Sequence, residues 1–147
     1  MPRQEDVLAF RVLDSGPDRL RVYLRLQRTS LITVVYNTEH VVTFATDGGS
    51  RATSTSEATK IAEVSRPNTP EEREIPAGDD HGFLWRLQAY WRYEGVSEGV
   101  IAECESIALS RDVPSLARYL VDPLVERTAR ESMTRTMLAL RAQFGKP

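Results

Sequence analysis

Residues 83–110 read FLWRLQAYWRYEGVSEGVIAECESIALS, and this stretch decides the fold class. Large apolar residues alternate with polar ones as far as Tyr93, which is the period of a β-strand with two different faces. A turn containing Gly95 and Gly99 follows, and mostly small residues then alternate with charged and apolar ones. The stretch therefore predicts an antiparallel hairpin in which one strand carries large inner residues and the other carries small ones.

The predicted register of this hairpin pairs large residues with small ones. We expect Tyr93 opposite Val100 and Trp91 opposite Ala102. On the outer face, the glutamates of the second strand then lie near the arginines of the first. These exposed charge pairs stabilise the fold little, but they favour this register.

Four more strands precede the hairpin, because apolar and polar residues alternate in each of them. They cover about residues 7–12, 20–27, 31–46 and 51–64. The third is either one long strand or two strands joined by a bend near Asn37, and the fourth, which is rich in alanine, also fits a helix. Residues 65–82 contain three prolines and several acidic residues, which indicates a long surface loop.

The C-terminal part predicts two helices. Pro114 can open a first short helix, and Pro123 restarts the chain. Thr128 and Glu131 have the spacing of a capping box, so we expect the last helix to begin there. An apolar stripe follows at helical spacing and consists of Met133, Met137, Leu140 and Phe144.

Length and composition fit one domain, residues 1–147, with strands over about 7–110 and helices over about 114–144. The expected fold class is α+β: a six-stranded antiparallel meander packed on a C-terminal helix. The net charge of -2 gives no broad cationic field, so nucleic acid is not an expected partner. Cys104 is the only cysteine, which excludes an internal disulfide and a zinc site built from several cysteines. The sequence indicates no cofactor.

The start of the chain bears on localisation. Met1 is followed by Pro2, Arg3 and further polar residues, without the apolar run of a signal peptide or a membrane span. We expect no membrane span, and the cytoplasm is the default expectation for the compartment.

Several segments carry a resemblance to a known superfamily. They read ITVVY at 32–36, FLWRL at 83–87, YWRY at 90–93, ECESI at 103–107 and LSRDVP at 109–114. Together with the order of strands and helix, they resemble the helix-grip superfamily of START-like and Bet v 1-like proteins, which includes polyketide cyclase-like proteins. Within it, the closest resemblance is to a bacterial START-like group whose name implies no reaction. The resemblance implies a curved sheet that grips a helix and leaves a cavity between them.

The sequence departs from the superfamily pattern at its start. A helix-grip chain begins with a strand and two short helices, and nothing ahead of Val7 can supply them. The resemblance therefore implies a truncated helix-grip fold with an open sheet edge and an exposed apolar patch. We expect the chain either to form a homodimer through that edge or to be a fragment of a longer protein.

The first functional hypothesis is the binding of a hydrophobic small molecule or lipid between the sheet and the last helix. The large inner residues of the hairpin and the methionines of the helix can form the cavity, because the residues opposite the aromatic side chains are small. The expected ligand-binding residues are Trp85, Leu87, Trp91, Tyr93, Met133, Met137 and Leu140. The competing interpretation is that these side chains fill a closed core.

Two other hypotheses come from different classes. One is a cyclase-like or hydratase-like enzyme that uses a polar group inside the cavity, such as His40, Tyr36 or Tyr90. The other is a structural domain with a filled core that dimerises. We assign no catalytic residue. The alternating sequence around His40 is better explained by a strand residue that pairs across the sheet.

The remaining polar residues have structural explanations that are favoured over functional ones. His81 follows two aspartates and could join them around a metal ion, but such a cluster more often forms a solvated turn. Cys104 could be a nucleophile, yet a thiol in the middle of a strand is usually a small buried group. Glu103 and Glu105 could act as an acid and base pair, but they fit a ladder of ion pairs better. We therefore expect no metal site.

Overall fold

The computed structural model describes residues 6–29, 33–110 and 115–144. An antiparallel sheet is followed by one helix, so the expected α+β layout is confirmed. The strands are β1 Val7–Ser15, β2 Arg19–Thr29, β3 Thr33–Thr46, β4 Arg51–Ser65, β5 Arg73–Glu74, β6 Arg86–Val96 and β7 Gly99–Leu109, and the helix is α1 Ser115–Phe144.

Six long strands form the sheet in the order β1-β2-β3-β4-β6-β7, which is the expected meander. The expected count of six is wrong by one, because the long loop contributes the two-residue strand β5. Val64 of β4 pairs with Glu74 of β5, and Ser65 pairs with Arg73. Part of the loop is therefore fixed to the sheet by backbone hydrogen bonds.

The expected break between two helices is wrong. The helix α1 runs without interruption from Ser115 to Phe144, through Pro123 and Thr128. A proline removes only one backbone donor and restrains its neighbours locally, so a helix of 30 residues can continue past it. A capping-box spacing is likewise a local pattern, and here it falls inside a longer helix.

The expected register of the β6–β7 hairpin is wrong by two residues. Trp91 lies opposite Cys104 and Tyr93 lies opposite Ala102. The strands continue up to the pair Val96 and Gly99, which leaves a loop of two residues instead of the longer turn that we expected. A shift of two residues keeps each side chain on its face, so large residues still face small ones.

We use the term inner face for the side of the sheet that carries Leu26, Tyr36, Glu63, Trp91 and Cys104, which follow one another across the paired strands. The other side is the outer face.

The helix α1 lies on the inner side. Asp6 joins it to β2, because its carboxylate lies 3.3 Å from Arg28 Nη1 and 3.3 Å from Arg135 Nη1. Arg28 occupies the inner face two residues beyond Leu26, so the helix and the inner face are on the same side of the sheet.

The buried core is concentrated on β2, β3 and β4. Among the described residues, the buried apolar side chains are Val22, Leu26, Val35, Tyr36, Ala62 and Val64. The loop between β4 and β6 is anchored to the outer face here, since Glu72 pairs with Arg25 at 2.8 Å and Glu74 pairs with Lys60 at 2.7 Å. This end of the sheet is therefore covered on both faces.

Candidate functional site

The aromatic part of the expected ligand site lies on the inner face of β6. The rings of Trp91 and Tyr93 stack with centroids 6.0 Å apart and planes 3° apart. Both side chains are only half-buried. Their neighbours are small: Ser54 of β4 and Cys104 of β7 lie on either side of Trp91. We call Leu87, Ala89, Trp91 and Tyr93 the aromatic wall.

Trp85 precedes β6 and belongs to the same side of the sheet by alternation. Its backbone N–H donates to the carbonyl of Leu109 at 2.9 Å, which extends the hairpin by one position. Its side chain is 52% exposed. Next to it, Phe83 stacks on the ring of His81 with centroids 5.4 Å apart. Large apolar groups thus remain open to solvent along this segment.

The helical part of the expected site lies in the second half of α1. Met133 and Met137 line a shallow groove of about 320 Å³ together with Thr134, Leu138 and Arg141, all from the helix. Leu140 is half-buried beside it. Arg135 ties this part of α1 to Asp6, near Arg28 and Tyr36. The helical residues are therefore anchored at the buried end of the sheet.

The distance between the two parts follows from strand geometry. Trp91 lies opposite Ser54, and Tyr36 lies opposite Glu63, both across β4. Nine residues of strand correspond to roughly 30 Å. The stacked rings of Trp91 and Tyr93 and the buried end are thus on one face but far apart, and the cavity that would join them stays a prediction.

A polar cluster occupies the inner face at the buried end. Glu63 is 4% exposed, and its carboxylate lies 2.5 Å from His81 Nδ1 and accepts the backbone N–H of His81 at 3.2 Å. Sequence reasoning missed this pair, because the two residues are 18 positions apart and only the folded loop brings them together. No local pattern in the sequence signals such a contact.

Tyr36 lies directly opposite Glu63 in this cluster. Its hydroxyl is sealed from solvent and has no hydrogen-bond partner among the described residues. Burial raises the pKa of Tyr36, and the negative charges of Glu63 and Asp80 raise it further. The phenol therefore stays protonated, and it is a buried donor that lacks an acceptor.

His40 is held between two hydroxyl groups. Its Nε2 lies 2.9 Å from Thr38 Oγ1, and its Nδ1 lies 3.3 Å from Ser56 Oγ. The Thr38 hydroxyl donates its single proton to the carbonyl of Leu24 at 3.2 Å, so it must accept from Nε2–H, which leaves Nδ1 to accept from Ser56. Burial lowers the pKa of His40. The geometry fits a neutral, structural histidine.

Two of the other polar residues lie where they cannot line an inner cavity. Tyr90 is exposed on the outer face, where its hydroxyl reaches Gln88 at 3.5 Å. Glu103 is also on the outer face and pairs with Arg92 at 3.3 Å. Cys104 lies on the inner face, half-buried, and burial raises the pKa of its thiol. A raised pKa disfavours the thiolate that a nucleophile needs.

Among residues 6–29, 33–110, 127 and 130–144, whose side chains the structure describes, no group of three metal-ligating side chains comes together. The aspartates beside His81 do not gather around it, since Asp80 accepts the backbone N–H of Gly82 at 3.1 Å and His81 contacts Glu63. In the part of the chain that the structure describes, α1 lacks the apolar length needed to cross a bilayer.

Comparison with known proteins gives no match: no protein family model, no curated protein and no solved structure resembles this chain significantly. The resemblance to START-like proteins therefore stays a prediction.

Proposed function

We propose that this protein binds a hydrophobic small molecule or lipid on the inner face of the sheet, beside α1. The observation that carries the proposal is the aromatic wall. The stacked rings of Trp91 and Tyr93 stand half-exposed among small residues, on the side of the sheet that also carries the helix. A closed core filled by its own side chains would bury these rings.

The favourable free energy of binding scales with the apolar area that a ligand covers. Covering about 200 Å² of apolar area would contribute roughly 5 kcal/mol at about 25 cal/mol per Å², before the costs of ordering the ligand. Only the surplus over those costs appears as affinity, so a ligand must cover a larger apolar area than this to bind tightly. A molecule that reached from the aromatic wall to Met133 and Met137 would have to be elongated, which favours a chain-like lipid.

The chain offers a built-in reporter for this test. Trp85 and Trp91 are its only tryptophans, and both belong to the proposed site. The neutral apolar dye N-phenyl-1-naphthylamine absorbs where tryptophan emits. We expect saturable energy transfer from protein to dye, with one dye bound per chain.

Two variants on one strand distinguish binding at the proposed site from nonspecific binding of the dye. Trp91→Ala should weaken dye binding at least fivefold, because it removes half of the ring stack. Tyr90→Ala is the matched control, since Tyr90 is the neighbouring aromatic residue on the opposite face. Equal effects of the two variants, or no saturable binding to the wild-type protein, would contradict the proposal. If the dye binds as expected, native mass spectrometry of the purified protein would identify any ligand that copurifies.

A second candidate function is catalysis in which the protonated hydroxyl of Tyr36 donates a hydrogen bond to the substrate, which the lack of a partner for this hydroxyl beside Glu63 favours. Of the three residues considered for such an enzyme, His40 is fully hydrogen-bonded and Tyr90 is on the outer face. Tyr36 is therefore the residue to vary. If a cyclase or hydratase activity is found, Tyr36→Phe should reduce it at least tenfold, while the dye still binds.

A further inference from the structure

The inner face beyond the buried end is uncharged, although much of it is exposed to solvent. Across six paired strands, its positions carry no Asp, Glu, Lys or Arg. These positions are the inner-face residues of 10–12, 20–24, 38–46, 52–61, 87–95 and 100–108. Phe10 and Phe44 on this face are each 45% exposed, and Val12 is 52% exposed. Because exposed surface normally carries charges, an open and uncharged face indicates a contact with an apolar molecule.

The outer face of the same six strands is charged. Each strand contributes at least one charged residue there, and examples are Arg11, Arg21, Glu39, Glu57, Arg92 and Glu103. Some of these residues pair across the strands, as Arg21 does with Glu39 at 3.1 Å. The two faces therefore differ in charge, and an ion bound on the open inner face would have no counter-ion on its own side of the sheet.

The polar groups on this part of the inner face are neutral. His40 has both ring nitrogens engaged, one with Thr38 and the other with Ser56, and its low pKa keeps it uncharged at neutral pH. Cys104 keeps its proton as well, since burial raises the pKa of its thiol. Hydroxyl groups such as that of Ser54 can bond to the polar group of a neutral ligand. A carboxylate placed here would lose water without gaining an opposite charge.

The turns at the open end of this face are acidic. The three turns at this end, residues 16–18, 47–50 and 97–98, contain Asp18, Asp47 and Glu98 and no basic residue. Asp47 stays ionised, because the backbone N–H of Gly49 donates to it at 2.9 Å and lowers its pKa. The arginines that flank these turns, Arg19 and Arg51, are on the outer face. An anionic headgroup that extended past Tyr93 would therefore meet negative charges.

The cations at the buried end are already paired with carboxylates. Asp6 lies 3.3 Å from both Arg28 and Arg135, and Arg135 also lies 3.8 Å from Glu131. Glu63 adds a further carboxylate on the inner face. An anionic headgroup that pointed towards this end would have to compete with these carboxylates. Neither end of the face thus favours an anion.

We propose that the ligand of the inner face is an uncharged lipid, such as a long-chain alcohol, and that the site discriminates against fatty acids and other anionic lipids. The apolar chain covers the open face, and the neutral headgroup needs no counter-ion at either end. This inference rests on the function proposed above, and the test below recognises the failure of each separately.

Two ligands of equal chain length test the discrimination. N-phenyl-1-naphthylamine is first bound to the wild-type protein, and 1-decanol or sodium decanoate is then added at pH 7.5, at concentrations where both are monomeric. Loss of energy transfer from tryptophan measures displacement of the dye. Half-displacement should need at least tenfold more decanoate than 1-decanol.

A charge added to the inner face separates this account from the greater water solubility of decanoate. Ala102→Lys places an ammonium group opposite Tyr93 and should lower the decanoate concentration for half-displacement at least fivefold. Ile101→Lys is the matched control, because it adds the same charge at the neighbouring position on the outer face. It should change that concentration less than twofold. Both positions are exposed, so the variants should fold.

The outcomes are distinct. The inference is overturned if decanoate displaces the dye from the wild-type protein as readily as 1-decanol. It is equally overturned if Ala102→Lys leaves the response to decanoate unchanged, or if Ile101→Lys alters it as much. In these cases binding of an apolar molecule on the inner face still stands. If neither ligand displaces the dye, or the dye does not bind saturably, the proposed function fails and this inference fails with it.

Discussion

The two ends of β4 show how differently one strand can be used. Near Glu63, the loop between β4 and β6 contacts both faces of the sheet, through His81 on the inner side and Glu72 on the outer side, and Val64 is buried. Near Ser54, the neighbouring residues Trp91 and Tyr93 are only half-buried. The difference indicates that the first end stabilises the fold, while the large side chains of the second are available for contacts with other molecules.

The largest expected effect comes from truncating leucines at the two ends. Leu26 is 4% exposed at the buried end, so Leu26→Ala should lower the free energy of unfolding by about 3 kcal/mol. Leu87 is half-buried on the aromatic wall, and Leu87→Ala should cost about 1 kcal/mol. Urea denaturation of both variants measures the two costs. Equal losses would mean that the wall is packed as tightly as the core.

A second comparison sets a buried carboxylate against an exposed one. Glu63→Gln removes the charge that holds His81, and it should lower the free energy of unfolding by about 2 kcal/mol. Glu103→Gln removes an exposed partner of Arg92 and should change the free energy of unfolding by less than about 0.5 kcal/mol. Chemical denaturation at pH 7 tests both. A loss at Glu103 as large as that at Glu63 would contradict the assigned difference in burial.

The third prediction concerns pH and the buried end. Burial lowers the pKa of His40 from its ordinary value of 6.5. As pH falls below 6.5, the unfolded chain takes up a proton that the folded chain does not yet bind, so this residue's contribution to stability is complete above 6.5 and declines below it.

The variant His40→Gln should remove that part of the pH dependence, because glutamine does not titrate. The measurement is the free energy of unfolding of both proteins at pH 7.5, 6.5 and 5.5. The wild-type protein should lose more stability than the variant on going to pH 5.5, by at most about 1.4 kcal/mol per pH unit. Parallel profiles would show that His40 is already protonated in the folded state or exposed to solvent.

Alternating residues predicted the long strands, because each strand buries one face and the period of two survives any error in register. The register itself depended on the turn, and the tight loop between Val96 and Gly99 moved Trp91 from Ala102 to Cys104. The helix boundary failed for a similar reason: Thr128 has a local capping pattern, but a long helix overrides it. Local sequence patterns predict the face on which a residue lies more reliably than they predict where a strand or a helix ends.

The predictions for the candidate site divide in the same way: the face on which a residue lies could be predicted, whereas contacts made by the loop could not. The aromatic side chains were expected on the inner face, and Trp91 and Tyr93 lie there in a stacked pair. The contact between Glu63 and His81 could not be predicted, because a loop with its own short strand brings the two together. The environment of the unpartnered Tyr36 hydroxyl includes Asp80 of that same loop, which leaves no periodic signal.

The most direct test of the open aromatic wall is collisional quenching of one tryptophan. In the variant Trp85→Phe, Trp91 is the only indole, and acrylamide should quench its emission readily in the free protein. Addition of 1-dodecanol, which is neutral and does not fluoresce, should shield Trp91 and lower the quenching constant at least twofold. An indole already protected in the free protein, or a quenching constant that 1-dodecanol leaves unchanged, would contradict the account.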